Sequence, residues 1–288
     1  MIGILFESDE WSDYKLAAEL ENRGFAAALI NTEEPDNETQ ILSCDLLVSR
    51  VFASATFRDH SFSLERMPHL LNLIKQQGIP LINPAQAHFY ETDKTTATKK
   101  LEQVGLSVPC VYACDSARLL EENDFSYPCI IKPNCGGRST YTALAQNPSQ
   151  ARSFLDGVPN LVFVVEEYIR PEKGFLTRVE IVGYECALIL KRSVAENGLS
   201  SYHFGSTYTP YHEPSDALLK DCTLAARELS IELGSFDIIE SGTQRSFIDA
   251  NAVSNVSEDC TELFNFDLMS AYADYVADKY QQAKTCSH

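Results

Sequence analysis

No apolar run in these 288 residues approaches the roughly 20 that a membrane-spanning helix needs. Basic residues are scarce: 23 Lys and Arg stand against 41 Asp and Glu, a net charge of −18. A surface of that sign argues against a nucleic-acid binder, because phosphate backbones need a basic face. The nine cysteines form no CxxC pair, and an odd, scattered set argues against a zinc site or a disulfide framework and for reduced thiols in a cytoplasm. The opening MIGILFESDEW carries no basic leader ahead of its apolar residues, so it reads as a first strand rather than a signal peptide. Internal repeats and low-complexity segments are also missing. What remains is an ordinary soluble composition, 44% hydrophobic and 22% charged, long enough for two or three sub-domains with cores of their own. An acidic protein that handles a polyanion must gather positive charge locally, which makes its few Lys and Arg informative.

The first 90 residues alternate strand and helix signals. Ile2–Phe6, Phe25–Ile30, Leu46–Val51 and Ile79–Ile82 are apolar strands; Asp13–Arg23 and His69–Gln77 have helical spacing and stop at Gly24 and Gly78. That order implies an open parallel sheet, whose ligands sit past the carboxyl ends of its strands. Glu7, Asp9, Arg50 and Arg58 fall there, and Arg50 is singled out as a fork for a substrate carboxylate. The competing reading is a salt bridge to a neighbouring acid such as Glu7.

A helix over Asp93–Val104, with Asp93 or Thr92 as cap, precedes a strand at Val108–Tyr112 and a helix at Ser116–Glu122. Pro128–Pro133 is a strand containing Lys132, and Asn134-Cys135-Gly136-Gly137-Arg138-Ser139 follows before Thr140–Ala145 returns. A strand lysine beside a Gly-Gly loop offers a point charge and backbone N–H groups to a polyphosphate; the bland reading is a surface lysine on a hairpin. Lys132 precedes the glycines, so this is not a Walker A loop. Leu161–Val165 runs into Glu166-Glu167-Tyr168-Ile169, and Arg178–Val182 with Glu185–Leu190 makes a hairpin with Lys191-Arg192 at its exit, two cations that suit an anion. Ala195–Pro214 reads as a mobile loop, Ser215–Leu233 as an amphipathic helix and Leu263–Tyr280 as the closing helix.

Between those helices lies Ser235 to Asn255, read as strands Phe236–Glu240 and Ser246–Ala250 joined at Ser241-Gly242-Thr243. Side chains alternate along a strand, so Asp249 and Asn251 share a face, and the hairpin can bring Asp237 to them. Three oxygen donors of that kind suit Mg²⁺; an ordinary hairpin with acids on its wet face is the alternative.

Taken in order, Lys94 after Asp93, Lys132 before GGRS, Glu166–Ile169, Arg178, Arg192, then Asp237, Asp249 and Asn251 resemble the ATP-grasp ligases, and most closely the RimK-type and LysX-type enzymes that join an amine to a carboxylate. The resemblance spans essentially the whole chain on sparse motifs. It implies an α/β protein of ATP-grasp architecture: an N-terminal open parallel sheet domain at 1–90, a lid sub-domain at 91–165 and a C-terminal part with the metal site at 166–288. It implies that Lys94 and Lys132 hold phosphates, that Gly136, Gly137, Arg138 and Ser139 close over the triphosphate, and that Glu166, Glu167, Tyr168 and Ile169 clamp adenine. It places Asp237, Asp249 and Asn251 on Mg²⁺ (or Mn²⁺), and Arg192 on the transferred phosphoryl group. The partners it implies are an amino-acid or peptide substrate, no nucleic acid or membrane, and a possible homo-oligomer.

The chain departs from that pattern in several places. Asp249 stands where a Glu is usual. Leu176-Thr177 replaces an acid useful for ribose, a role left to Glu172 or Glu180. Ser201–Gly205 lacks the family's loop Asn and Arg, and Ala252-Val253-Ser254 replaces Ser-Pro-Gly. The expected activity is ATP-dependent amide-bond formation through an acyl phosphate. A D-alanine–D-alanine-like ligase, a carboxylase of the same fold or a lapsed ATP-binding regulatory module is the alternative.

Overall fold

The computed structural model describes residues 1–201, 205–254 and 260–286. Three sheets follow one another along the chain. The first is parallel, in the order β2-β1-β3-β4, from β1 (Ile2–Phe6), β2 (Ala27–Asn31), β3 (Leu46–Ser49) and β4 (Leu81–Ile82). Every residue of β1 is buried because both faces are covered. On one side Ile2 and Ile4 meet Leu16 and Leu20 of α1 (Trp11–Asn22). On the other, Leu5 and Leu47 meet Met67, Leu70 and Ile74. Short α2 (Asn37–Leu42) and long α3 (Ser61–Gln77), which supplies those last three residues, lie on that second side. α4 (Ala85–Thr92) leads out of the sheet.

The second sheet begins after α5 (Lys94–Gln103), whose N-terminus Asp93 caps by accepting a hydrogen bond from Thr96 N at 3.0 Å. Its strands are β5 (Val111–Ser116), β6 (Cys129–Pro133), β7 (Ala143–Ala145) and β8 (Val162–Glu167), antiparallel in the order β5-β8-β6-β7, with α6 (Pro148–Asp156) against them. The helix expected at Ser116–Glu122 does not form. Ser116 still pairs with Val162 in the sheet and Ala117 N bonds Leu161 O. Ala117 and Leu120 are buried from a turn, beside Phe125 and Leu155, without helical periodicity being needed.

The third sheet is antiparallel, in the order β11-β10-β9-β12-β13. It comprises β9 (Phe175–Val182), β10 (Glu185–Ser193), β11 (Tyr208–Pro210), β12 (Leu233–Ser241) and β13 (Gln244–Asn251). One face carries Val179, Ile181, Phe236, Ile238 and Phe247 onto α5 and α7 (Asp216–Glu228), the latter capped by Ser215. On the other face Leu190 and Leu233 join the first sheet's core together with Tyr272, Ala273 and Val276. The closing helix is two helices, α8 (Cys260–Phe264) and α9 (Leu268–Cys286), separated by Asn265 at φ 52°. The loop expected over Ala195–Pro214 contains β11; its residues Tyr202–Phe204 lie outside the described set. Among the described residues no helix is long and apolar enough to cross a membrane.

Candidate active site

A cleft of about 530 Å³ is lined by helix and loop residues of the first sheet domain and by strand residues of the other two sheets; the residues that the motif order assigned to nucleotide and metal all line it, whereas Arg50, Glu172 and Glu180 do not. The hairpin β12–β13 supplies its most polar wall. Asp237 pairs directly with Asp249 and Ser235 with Asn251, so the three oxygen donors lie on one face. The register then slips, because Ile238 pairs with Phe247 and leaves Ile248 as an extra residue. Such a bulge frees a backbone carbonyl, and Ile248 O accepts a 2.8 Å hydrogen bond from Lys132 Nζ. Gly234 is needed at the base of this hairpin, since a Cβ there would stand 2.2 Å from Asn251 O.

Each acid in the wall faces a cation. Asp249 accepts from Lys94 Nζ at 2.8 Å, and Asp237 accepts from Arg192 Nη2 at 2.8 Å and from Arg178 Nη1 at 3.3 Å. Lys132 Nζ stands 2.7 Å from Glu166. Burial pushes the Asp249 carboxyl up, but the ammonium groups of Lys94 and Lys132 outweigh that and hold it below the usual carboxylate range. For Glu166 burial wins over Lys132, and its carboxyl is raised.

Arg192 lies inside β10 rather than past its end, and spends Nε on Ser200 Oγ at 3.0 Å. Its neighbour Lys191 points to the opposite face, over the rings of Phe175 and Tyr211 at 5.0 and 4.6 Å. Only one of the two adjacent cations therefore faces the cleft, because side chains alternate along a strand.

The opposite rim is the glycine loop. Gly136 (φ 151°) lies so close to Phe57 that a Cβ would fall 2.4 Å from the ring. The loop crosses to the first sheet domain, where Arg138 pairs with Glu10 and the ring of Tyr141 stands edge-on to Phe57 at 5.4 Å. At the junction of the second and third sheets, Glu166 through Ile169 line the cleft, and Tyr168 Oη donates to Gly198 O at 3.4 Å.

Arg50 is elsewhere. It is 2% exposed, with Nε 2.5 Å from Asp13, Nη2 2.8 Å from Ser12 Oγ and Nη1 3.2 Å from Ser254 O. The fork expected for a substrate carboxylate is thus filled by α1. Nor is its partner Glu7, which pairs with Arg58 and accepts from Phe52 N at 3.2 Å. Glu180, considered for ribose, is fully buried with Arg178 Nε 2.7 Å away, and Glu172 accepts from Ser241 Oγ outside the cleft.

The structure also shows residues that the sequence did not single out. Glu91 lines the cleft and accepts from Ala53 N at 3.1 Å and Ala252 N at 2.7 Å, clamping the first sheet domain to the backbone beside Asn251. Asn83, at φ 54°, receives Glu232 N and Leu233 N on its oxygen and donates to Leu233 O and Ala252 O. A helix-end acid and a loop asparagine give no one-dimensional signal for such bridges.

The cleft thus brings together two lysines, a glycine loop and a hairpin of oxygen donors, as the resemblance to the ATP-grasp ligases implies. Comparison with known proteins agrees. Residues 91–267 match the model of the RimK-like ATP-grasp domain. A probable alpha-L-glutamate ligase 1 of Shewanella sp. (strain ANA-3) is 23% identical over 279 residues, covering 88% of each chain. Among solved structures, the ATP-grasp ligase PsnB, complexed with minimal precursor, Mg and ADP, superposes with TM-score 0.68 at 16% identity over 97% of each chain. The D-alanine–D-alanine ligase of Bacillus anthracis gives 0.73 at 14% over 98% of each. The chain belongs to the RimK-like ATP-grasp family. Its class is that of the ADP-forming carboxylate–amine ligases.

Proposed function

We propose that the cleft binds Mg²⁺–ATP, its paired charges exchanging one another for phosphate and metal, and that the chain ligates an amine to an amino-acid or peptide carboxylate. In this reading Lys94 and Lys132 pass from Asp249 and Glu166 to phosphate oxygens. Asp237, Asp249 and Asn251 hold the metal, which when bound supplies neutralisation of phosphate charge. The donor set fits it: two carboxylates and one amide oxygen on one hairpin face are hard ligands.

Gly136, Gly137, Arg138 and Ser139 close over the triphosphate as part of a lid spanning 91–165, between the 1–90 and 166–288 parts. Glu166, Glu167, Tyr168 and Ile169 receive the adenine. Arg192 faces the reacting centre, with Arg178 supporting it through their shared Asp237. A carboxylate oxygen takes the γ-phosphoryl group as the β–γ bond breaks and ADP leaves. An amine nitrogen then attacks the acyl carbon, phosphate departs and one proton is lost. Positioning and charge do this work without a nucleophilic side chain, and the cysteines need no part in it.

The observation that carries the reading is the set of opposite charges turned into one cleft: Lys94–Asp249, Lys132–Glu166 and Arg192–Asp237. Screening amino-acid pairs for ATP-dependent phosphate release, with mass detection of the amide, tests it. Asp249→Asn should abolish turnover in a folded protein; wild-type activity of that variant at limiting Mg²⁺ would remove the metal assignment.

A further inference from the structure

Beyond β13 the backbone runs through Ala252 and Val253 to Ser254, which is fully buried. Two residues of the first part of the chain pin this segment: Glu91 accepts from Ala252 N at 2.7 Å, and Arg50 Nη1 donates to Ser254 O at 3.2 Å. The Ser254 side chain has a separate partner. Its Oγ accepts from Arg178 Nη2 at 2.8 Å, while Nε of the same guanidinium donates to Glu180 at 2.7 Å and Nη1 to Asp237 at 3.3 Å. Arg178 stands directly across the β9–β12 ladder from Asp237. Three acceptors on three nitrogens thus fix one guanidinium beside one carboxylate.

We infer that Ser254 is a positioning residue for the metal site: its hydroxyl holds Arg178 to one oxygen of Asp237 and so keeps the other oxygen for Mg²⁺. The inference rests on the assignment of Asp237 to the metal. In the structure that second oxygen, Oδ2, lies 2.8 Å from Arg192 Nη2, and the proposed function turns Arg192 toward the transferred phosphoryl group. Oδ2 is then open to either of two cations. A guanidinium and a carboxylate favour two parallel N–H···O bonds, so a free Nη2 on Arg178 would close on Oδ2 and compete with the metal. Ser254 Oγ occupies Nη2 and Glu180 occupies Nε, which leaves Nη1 alone for Asp237. Groups behind a ligating carboxylate set its orientation and its affinity for metal in this way.

The contact is this chain's own. The pattern it resembles has Ser-Pro-Gly where Ala252-Val253-Ser254 stands, and a glycine at 254 has no hydroxyl to offer.

The intact protein is titrated with ATP by calorimetry in excess EDTA and again in saturating Mg²⁺, and the ratio of the two Kd values is what the metal adds. Ser12→Ala is the matched control, since Ser12 is also fully buried and its Oγ accepts from Arg50 Nη2 at 2.8 Å on the sealed side. Both serine variants should lower the midpoint of thermal unfolding. Only Ser254→Ala should lose part of the metal's effect, about tenfold, with ATP affinity in EDTA unchanged. Arg178→Lys keeps the charge but not the three-way fork, and should lose about 10–100-fold. A wild-type ratio in either Ser254→Ala or Arg178→Lys, or the same loss in Ser12→Ala, would overturn the inference. Absence of ATP binding to the wild type, or of any Mg²⁺ effect on it, would instead strike the nucleotide and metal assignments on which it rests.

Discussion

Arg50 and Arg192 are both nearly buried, 2% and 9% exposed, and each holds a carboxylate at short range. Yet they belong to different kinds of region. Around Arg50 every direction is protein: Asp13 and Ser12 from α1, and the Ser254 carbonyl. Around Arg192 one side is open, because Arg192, Asp237 and Arg178 line the cleft. Burial and ion pairing alone do not mark a site; an ion pair marks one when a ligand can reach it. Through its bond to Ser254 O the sealed arginine fastens the first sheet domain to the backbone beyond β13, whereas the open cluster stands where a ligand can reach it.

Breaking the sealed pair should produce the largest change. Arg50→Met leaves Asp13 buried without its cation, and should lower stability by about 3–5 kcal/mol. The folded fraction should keep its KM for ATP and for substrates, which steady-state kinetics at low temperature would check. A raised substrate KM would return Arg50 to the site. Arg192→Lys keeps a charge beside a wet cleft but loses the planar fork that meets Ser200 and Asp237 together. Turnover should fall about 10²–10³-fold, with little change in the midpoint of thermal unfolding.

A smaller, pH-dependent effect sharpens the same contrast. Burial raises the Glu7 carboxyl from 4.5 to about 7, against the lowering effect of Arg58. Its folded pKa is the higher one, so its contribution to stability is complete below about pH 4.5 and is lost as pH rises through 7. Glu7→Gln should therefore gain on the wild type by up to about 3 kcal/mol between those limits. Urea unfolding of both proteins across the range measures this; a difference independent of pH would show that Glu7 is charged throughout.

The sequence carried much of the architecture. The parallel sheet of the first 90 residues, the Lys132 strand with its glycine loop and the Asp237–Asn251 hairpin were legible from apolar period and turn residues. Motif order then supplied the family. Three kinds of feature were not legible. A bulge at Ile248 leaves no signature in composition, yet it is what frees a carbonyl for Lys132. Strand ends were misjudged at β10, where apolar periodicity stops at Leu190 but pairing continues to Ser193. Long-range partners such as Asp13 for Arg50, or Glu91 for two backbone amides, depend on which elements meet in space, and each of these acids reads singly as a solvated helix residue.

The central claim is that the cleft lysines are phosphate ligands held in reserve by acids. Calorimetric titration of Lys132→Met and wild type with ATP and with adenosine, both in the presence of Mg²⁺, tests it most directly. The account predicts that the Kd for ATP rises about 10–100-fold, as loss of a charged hydrogen bond should give, while adenosine binds as before. Equal losses for both ligands, or none for ATP, would contradict it and leave Lys132 as the structural partner of Glu166.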